Sequence, residues 1–213
     1  MAAEERKNTN RKNEAAQRIL AATFQCIAEK GSASVSLREI ALQAGVVLSQ
    51  LNYYFVNREQ LFAAVLRMMK QEYLENVEAR MAAMQSVPQK AAFFISYNRE
   101  LLVTNQALYR AFLDFFGLAL WSSSFQKEMN EFLDGVSQVI ESHMETSGVA
   151  DSAVESPALQ NSSVATLANT ILATTFGIAM QYLMNPERSD LLEGFDLLQK
   201  MVLQVEGEAS LRG

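Results

Sequence analysis

One cysteine and one histidine stand in a chain of 213 residues, with only three prolines, nine glycines and one tryptophan. A lone Cys26 forms no intramolecular disulfide. Cys26 and His143 together fall short of the four ligands a His/Cys metal centre takes, so neither a metal nor another cofactor is expected. The scarcity of Gly and Pro, beside 49% apolar and 20% charged residues, excludes collagen-like, low-complexity and wholly disordered classes. No uninterrupted apolar run reaches the about 18 residues of a membrane span. The opening MAAEERKNTNRKNEAAQ is polar and lacks a signal-peptide core. The expectation is a compact protein of the reducing cytoplasm without a membrane partner.

Strand signals are also missing: no stretch alternates apolar and polar residues over six positions and ends in a hairpin dipeptide. Helical signals run almost end to end. Ile19, Leu20, Phe24 and Ile27 form a stripe at helical spacing, and Gly31 follows as a stop. Ser36 and Glu39 make a capping box ahead of Ile40, and Gly45 breaks the chain before a short helix over Leu48 to Tyr54. Asn57 is the expected N-cap of a long helix. Its stripe of Phe62, Val65, Leu66, Met69, Tyr73, Val77, Met81 and Met84 is sustained until Pro88, for a helix from Asn57 to Gln85. Further helices are expected at Pro88 to Thr104, Gln106 to Ala119, Ser124 to Thr146, Pro157 to Met184 and Ser189 to Val205, with a loop over Ser147 to Ser156. The fold class is therefore all-α, with about nine helices.

The net charge of −6 argues against an anionic partner until it is resolved along the chain. Residues 1 to 60 carry eight basic and six acidic side chains; the remainder carry ten and eighteen. Arg6, Lys7, Arg11, Lys12 and Arg18 concentrate the basic excess where it can meet phosphates, although such a cluster also suits a solvated tail. The segment SLREIALQAGVVLSQLNYYFVNREQLF, Ser36 to Phe62, places two short helices around a glycine turn. That spacing fits a helix-turn-helix whose second helix enters the major groove of DNA.

Here the chain resembles the TetR/AcrR family of bacterial transcriptional regulators. The resemblance rests on AEKG (Ala28 to Gly31), REIALQAGV (Arg38 to Val46), LNYYF (Leu51 to Phe55) and NREQLF (Asn57 to Phe62). A basic flexible arm is expected over 1–12 and a tail over 207–213, and the resemblance implies a three-helix DNA-binding headpiece over 13–58 and a helical effector-binding and dimerisation domain over 59–206. It implies phosphate or base contacts from Ser36 and Arg38, and outward recognition-helix positions at Leu48, Ser49 and Gln50. Arg suits guanine, Gln adenine, and Leu a thymine methyl. Asn52, Tyr53, Tyr54 and Arg58 become phosphate clamps, with packing an equal reading for Tyr54. Two departures stand out: Val47 replaces the usual Ser or Thr, and Asn52 stands where Tyr is common.

Ten of the 19 aromatic residues fall between Phe93 and Phe132. Each alone reads as core. Together Phe93, Phe94, Tyr97, Tyr109, Phe112, Phe115, Phe116, Trp121 and Phe132, with Met129, make the candidate lining of an apolar ligand pocket, and Phe125 belongs to the same run. Asn98, Asn105, Asp114 and His143 are the polar candidates to orient a ligand, Asp114 also reading as a surface residue. The last two helices carry apolar stripes wider than one side can bury, which suits a two-fold four-helix interface. No Gly-rich phosphate loop, GxSxG elbow or Cys/His pair at useful spacing is present, so an enzyme is not expected.

The resulting expectation is a homodimeric repressor that binds double-stranded operator DNA and leaves it when a hydrophobic small molecule binds. The rival is an all-helical lipid or peptide carrier, or interaction module, that never touches DNA. It uses the same aromatic run and leaves the headpiece motif unexplained.

Overall fold

The structure is a computed structural model that describes residues 2–84, 87–145 and 164–207. Among them are nine α-helices and one 3-10 turn, and no strand. They are α1 (Ala2–Lys30), the turn η1 (Ser32–Ser34), α2 (Leu37–Gln43), α3 (Leu48–Tyr54), α4 (Arg58–Met81) and α5 (Val87–Thr104). The remainder are α6 (Gln106–Ala119), α7 (Ser123–Glu145), α8 (Val164–Met184) and α9 (Asp190–Gly207). The loop expected at Ser147 to Ser156, the Pro157 helix start and the 207–213 tail, Gly207 apart, lie outside the described residues.

The caps explain most boundaries. Ser36 Oγ accepts the Glu39 amide at 3.2 Å, fixing the start of α2. Asn57 Oδ1 accepts the Gln60 amide at 2.8 Å ahead of α4, and Asn105 Oδ1 accepts the Leu108 amide at 3.2 Å ahead of α6. Gly31 and Gly45 adopt positive φ values of 76° and 65°, open to glycine, which stop α1 and turn α2 toward α3.

Three sequence expectations change. The stretch 2–12, expected as a flexible arm, is the first part of α1: no Gly or Pro interrupts Ala2–Lys30, and Ala, Glu, Arg and Lys favour helix. The long fourth helix ends at Met81, short of Gln85, where a Met84 N–H to Met81 C=O bond of 3.0 Å tightens its last turn. Over its 24 residues it still spans about 36 Å. Finally, Thr166–Met184 in α8 is long and apolar enough to cross a membrane by length and composition, at a mean hydropathy of 1.2. Thr166, Asn169, Thr170, Thr174 and Thr175 break its apolar run without adding charge, so no uninterrupted run marks it. Ala168, Ile171, Leu172, Thr175 and Ala179 are its buried residues, the single stripe of a helix packed on one side.

The chain folds as two compact units, Met1–Lys70 with Arg110–Met129, and Gln71–Tyr109 with Asn130–Gly213. The division falls inside α4, α6 and α7 and not at residue 58, because the first unit completes its core with Phe112, Phe115 and Phe125 from α6 and α7. Ile19, Ile27, Ile40, Leu51, Leu61 and Leu66 supply the rest of that core. The second unit buries Val77, Phe94, Ile95, Leu102, Phe132 and Phe195 around a polar cluster of Tyr73, Asn98 and Tyr109.

Candidate nucleic-acid interface

Within the first unit, α1 supplies a floor. Ala15, Ile19, Ala22, Cys26 and Ile27 bury one face, against which Ile40 and Ala41 of α2 and Leu51 of α3 close. Ala41 and Ala44 are small enough to let the two short helices approach, and Val46 N–H reaches Ala41 C=O at 2.9 Å across the Gly45 turn. Two side-chain bonds tie α2 to α1. The Cys26 thiol donates to Gln43 Oε1 at 2.9 Å, and Lys30 pairs with Glu39. Burial, then the nearby Glu39 carboxylate, pushes the Cys26 thiol up. The Lys30 bond lowers the carboxyl of Glu39, and the same bond raises Lys30. Both groups are solvated, so this pair orients more than it stabilises.

The inward residues are accounted for by packing, which leaves an outward row. Ser36, Arg38, Ser49, Asn52 and Tyr53 are exposed, while Leu48, Gln50 and Tyr54 are half-buried. Tyr53 and Tyr54 meet edge to face with centroids 5.4 Å apart. Val47 sits at the N-cap of α3 with no side-chain cap bond, as its lack of a hydroxyl requires. Leu42 and Val47, 82% and 65% exposed, extend the row with apolar surface that sequence reasoning did not assign; a run of HTH-like residues gives no sign of which apolar positions face out. The α1 residue Arg18 is exposed. The side chains of Arg6, Lys7, Arg11 and Lys12 lie outside the described residues.

Arg58 stands apart from the other expected phosphate clamps. Its guanidinium donates to the Ser32 carbonyl and lies over the Phe62 ring, 4.8 Å from the centroid. Its charge is thus engaged in holding the η1 turn. Asp114, expected as a ligand-orienting or surface residue, accepts the Ser32 amide at 2.5 Å. Nothing in the sequence marks that contact, because its partners are 82 residues apart.

The aromatic positions are divided between the units. In the first, Phe115 and Phe125 stack at 5.9 Å, Phe112 and Met129 are buried, and Phe116 is half-buried. Trp121 is 91% exposed, which removes it from any enclosed apolar lining: it sits on the turn between α6 and α7, past the last helical residue Ala119. In the second unit Tyr73 meets Phe132 edge to face at 5.4 Å, Phe93 stacks on Tyr97 at 5.6 Å, and Tyr109 meets Phe176 at 5.4 Å. Phe94 is fully buried beside them in sequence, and Asn98 Oδ1 accepts both the Tyr73 and Tyr109 hydroxyls. Asn105 is spent on capping α6, and the His143 side chain lies outside the described residues.

Residues 19–65, which hold this helix-turn-helix and its floor, match the model of the bacterial regulatory proteins, tetR family. The chain carries the DNA-binding headpiece of a tetR-family regulator. The likeness in fold extends over most of the chain. The fatty acid degradation regulator FadR from Bacillus halodurans superimposes with a TM-score of 0.69 at 18% identity, covering 88% of this chain and 94% of that one. FadR from Bacillus subtilis, solved in complex with stearoyl-CoA, gives 0.68 at 19% identity over 87% and 96%. SmeT, the repressor of the Stenotrophomonas maltophilia multidrug efflux pump SmeDEF, gives 0.64 at 20% over 89% and 88%. No curated protein matches the sequence. The tetR-family headpiece makes this a DNA-binding transcriptional regulator, and the carrier reading has no account of it.

Proposed function

We propose that the protein is a cytoplasmic homodimeric repressor that holds a two-fold operator through α2 and α3 and releases it when a molecule with a long apolar chain binds. The observation that carries the DNA side is the outward row Ser36, Arg38, Ser49, Asn52 and Tyr53, displayed on a packed α1 floor within the tetR-family match. Arg38 and Gln50 read base edges, while Ser36, Ser49, Asn52 and the tyrosines set register on phosphates. The effector reading is supported by the aromatic side chains buried within each unit, with Met129 beside them in sequence, a composition adaptable to an acyl chain. It draws on the stearoyl-CoA that accompanies the Bacillus subtilis FadR fold. The effector shifts the equilibrium only as far as it prefers the conformer whose headpieces miss successive major grooves, about 34 Å apart.

The deciding experiment selects bound fragments from a random DNA pool, then titrates the protein–fragment complex with stearoyl-CoA and with free coenzyme A. A palindromic fragment released by the acylated form alone supports the reading. Release by neither ligand sinks the acyl effector, and failure to enrich any fragment sinks operator binding.

A further inference from the structure

The segment joining α1 to α2 sets how the reading helices stand on their floor. Gly31 ends α1 at a positive φ of 76°, η1 follows, and Ser36 caps α2. Ser32 opens that turn and is 3% exposed, so both its backbone polar groups need partners inside the protein. Neither partner comes from α1 or α2. The amide donates to the Asp114 carboxylate of α6 at 2.5 Å, and the carbonyl accepts from Arg58 at the start of α4. Both bonds are charge-assisted, the stronger class, and they pull on the two sides of one residue from two different helices. A peptide held in this way fixes the turn in position and rotation, and through the Ser36 cap it fixes α2 and then α3.

We infer that Asp114 is a positioning residue for operator recognition: it holds the Ser32 amide so that α2 and α3 present their outward row in the geometry DNA requires. The inference rests on the DNA-binding reading of the headpiece, and it moves Asp114 from the effector side of the molecule to the reading head. It also gives the headpiece a functional residue beyond the 19–65 match. Asp114→Ala removes the acceptor, Asp114→Glu keeps the charge but displaces the acceptor by one methylene, and Asp114→Asn keeps an acceptor oxygen at the same reach.

The test uses the full-length protein and a fragment selected by the wild type, with binding to a scrambled fragment measured in parallel and thermal unfolding recorded for each variant. Alanine and glutamate variants are expected to lose about tenfold in specific affinity while scrambled-DNA affinity stays within about twofold, and asparagine is expected to restore most of the loss. Hydrogen exchange at the Ser32 amide rises in the first two and not in the third. A residue that served stability alone would lower the unfolding temperature and leave specific affinity of the folded protein untouched. Wild-type specific affinity in either Asp114→Ala or Asp114→Glu, whichever folds, overturns the inference. Absence of any fragment selected by the wild type overturns it together with the DNA-binding reading, whereas a bound wild type with indifferent Asp114 variants overturns it alone.

Discussion

The Tyr109 hydroxyl donates to Asn98 Oδ1 at 2.8 Å, inside a buried cluster. The same oxygen accepts the Tyr73 hydroxyl at 3.1 Å, and the Asn98 amide donates to the Phe94 carbonyl at 2.8 Å. Burial pushes both phenols well above their ordinary range, so they remain donors at any working pH. Asn98→Leu leaves two buried hydroxyls without this acceptor and is expected to cost about 2–4 kcal/mol in urea unfolding. Tyr73→Phe, which removes one end only, is expected to cost about 1 kcal/mol. An Asn98→Leu variant unfolding at the wild-type urea midpoint would show that the cluster contributes no net stability.

A second polar node joins α4 to α7. Glu128 accepts from Lys70 Nζ at 2.5 Å and from Arg67 at 2.7 Å, and Lys70 also donates to the Glu128 carbonyl at 3.0 Å. Burial works to raise the carboxyl of Glu128, but the two cationic donors outweigh it and its pKa is lowered. A carboxyl lowered on folding stabilises fully above its unfolded value, about 4.3, and that contribution fades as pH falls through the lower folded value. The unfolding-temperature gap between wild type and Glu128→Gln is therefore expected to be largest near pH 7 and to shrink toward pH 3. A gap that is constant across this range would assign the loss to packing instead.

The helices and their caps were legible in sequence wherever the signal is local. The ranges Leu48–Tyr54 and Gln106–Ala119, the Ser36 and Asn57 caps and the glycine stops depend on residues within one turn of each other. Ser36, Arg38 and Asn52, which are exposed, came from the resemblance to the TetR/AcrR motif and not from any periodicity of these short helices. What sequence could not show is where side chains from distant helices end. Asp114 reaches Ser32 across 82 residues, and Arg58 folds back onto the same residue from the start of α4. Trp121 has a core composition signal and a surface position because the chain turns there. The N-terminal basic stretch read as an arm because polarity says nothing of helix; the propensities of its Ala, Glu, Arg and Lys do.

Arg58 offers a direct contrast between phosphate contact and turn support. A phosphate ligand removed from the interface reduces the slope of log affinity against log salt by about 0.9. Since the guanidinium already holds the Ser32 carbonyl and covers Phe62, Arg58→Ala is expected to weaken specific binding with the slope unchanged. Arg38→Ala, whose side chain is exposed, is expected to weaken binding to the selected fragment while dimerisation is retained. A slope reduced by about one in Arg58→Ala would restore it as a phosphate clamp.

Cys26 is 1% exposed, its thiol donates to Gln43, and burial raises its pKa, three conditions that suppress the thiolate. The folded protein is expected to react with a charged disulfide reagent at a rate set by unfolding, and so to accelerate steeply with urea. Stoichiometric labelling within seconds in native buffer would mean that α1 and α2 separate readily in solution.

The final expectation concerns the face shared by α8 and α9. Met184, Leu197 and Met201 are 71%, 61% and 60% exposed, and no charged residue occurs from Val164 to Met184. A single copy leaves this surface in water, at about 25 cal/mol for each Å² of apolar area. The proposed two-fold partner would remove it from water and place two headpieces on one operator. In the proposed dimer Leu197→Glu puts a charge at the interface, where like charges approach across the axis. The variant is expected to run as a monomer in light scattering at concentrations where the wild type is a dimer, with unchanged helix content by circular dichroism. Operator affinity then falls far more than for one lost contact, since each headpiece must bind its half-site alone. A dimeric Leu197→Glu protein with wild-type operator affinity would move the interface off α9.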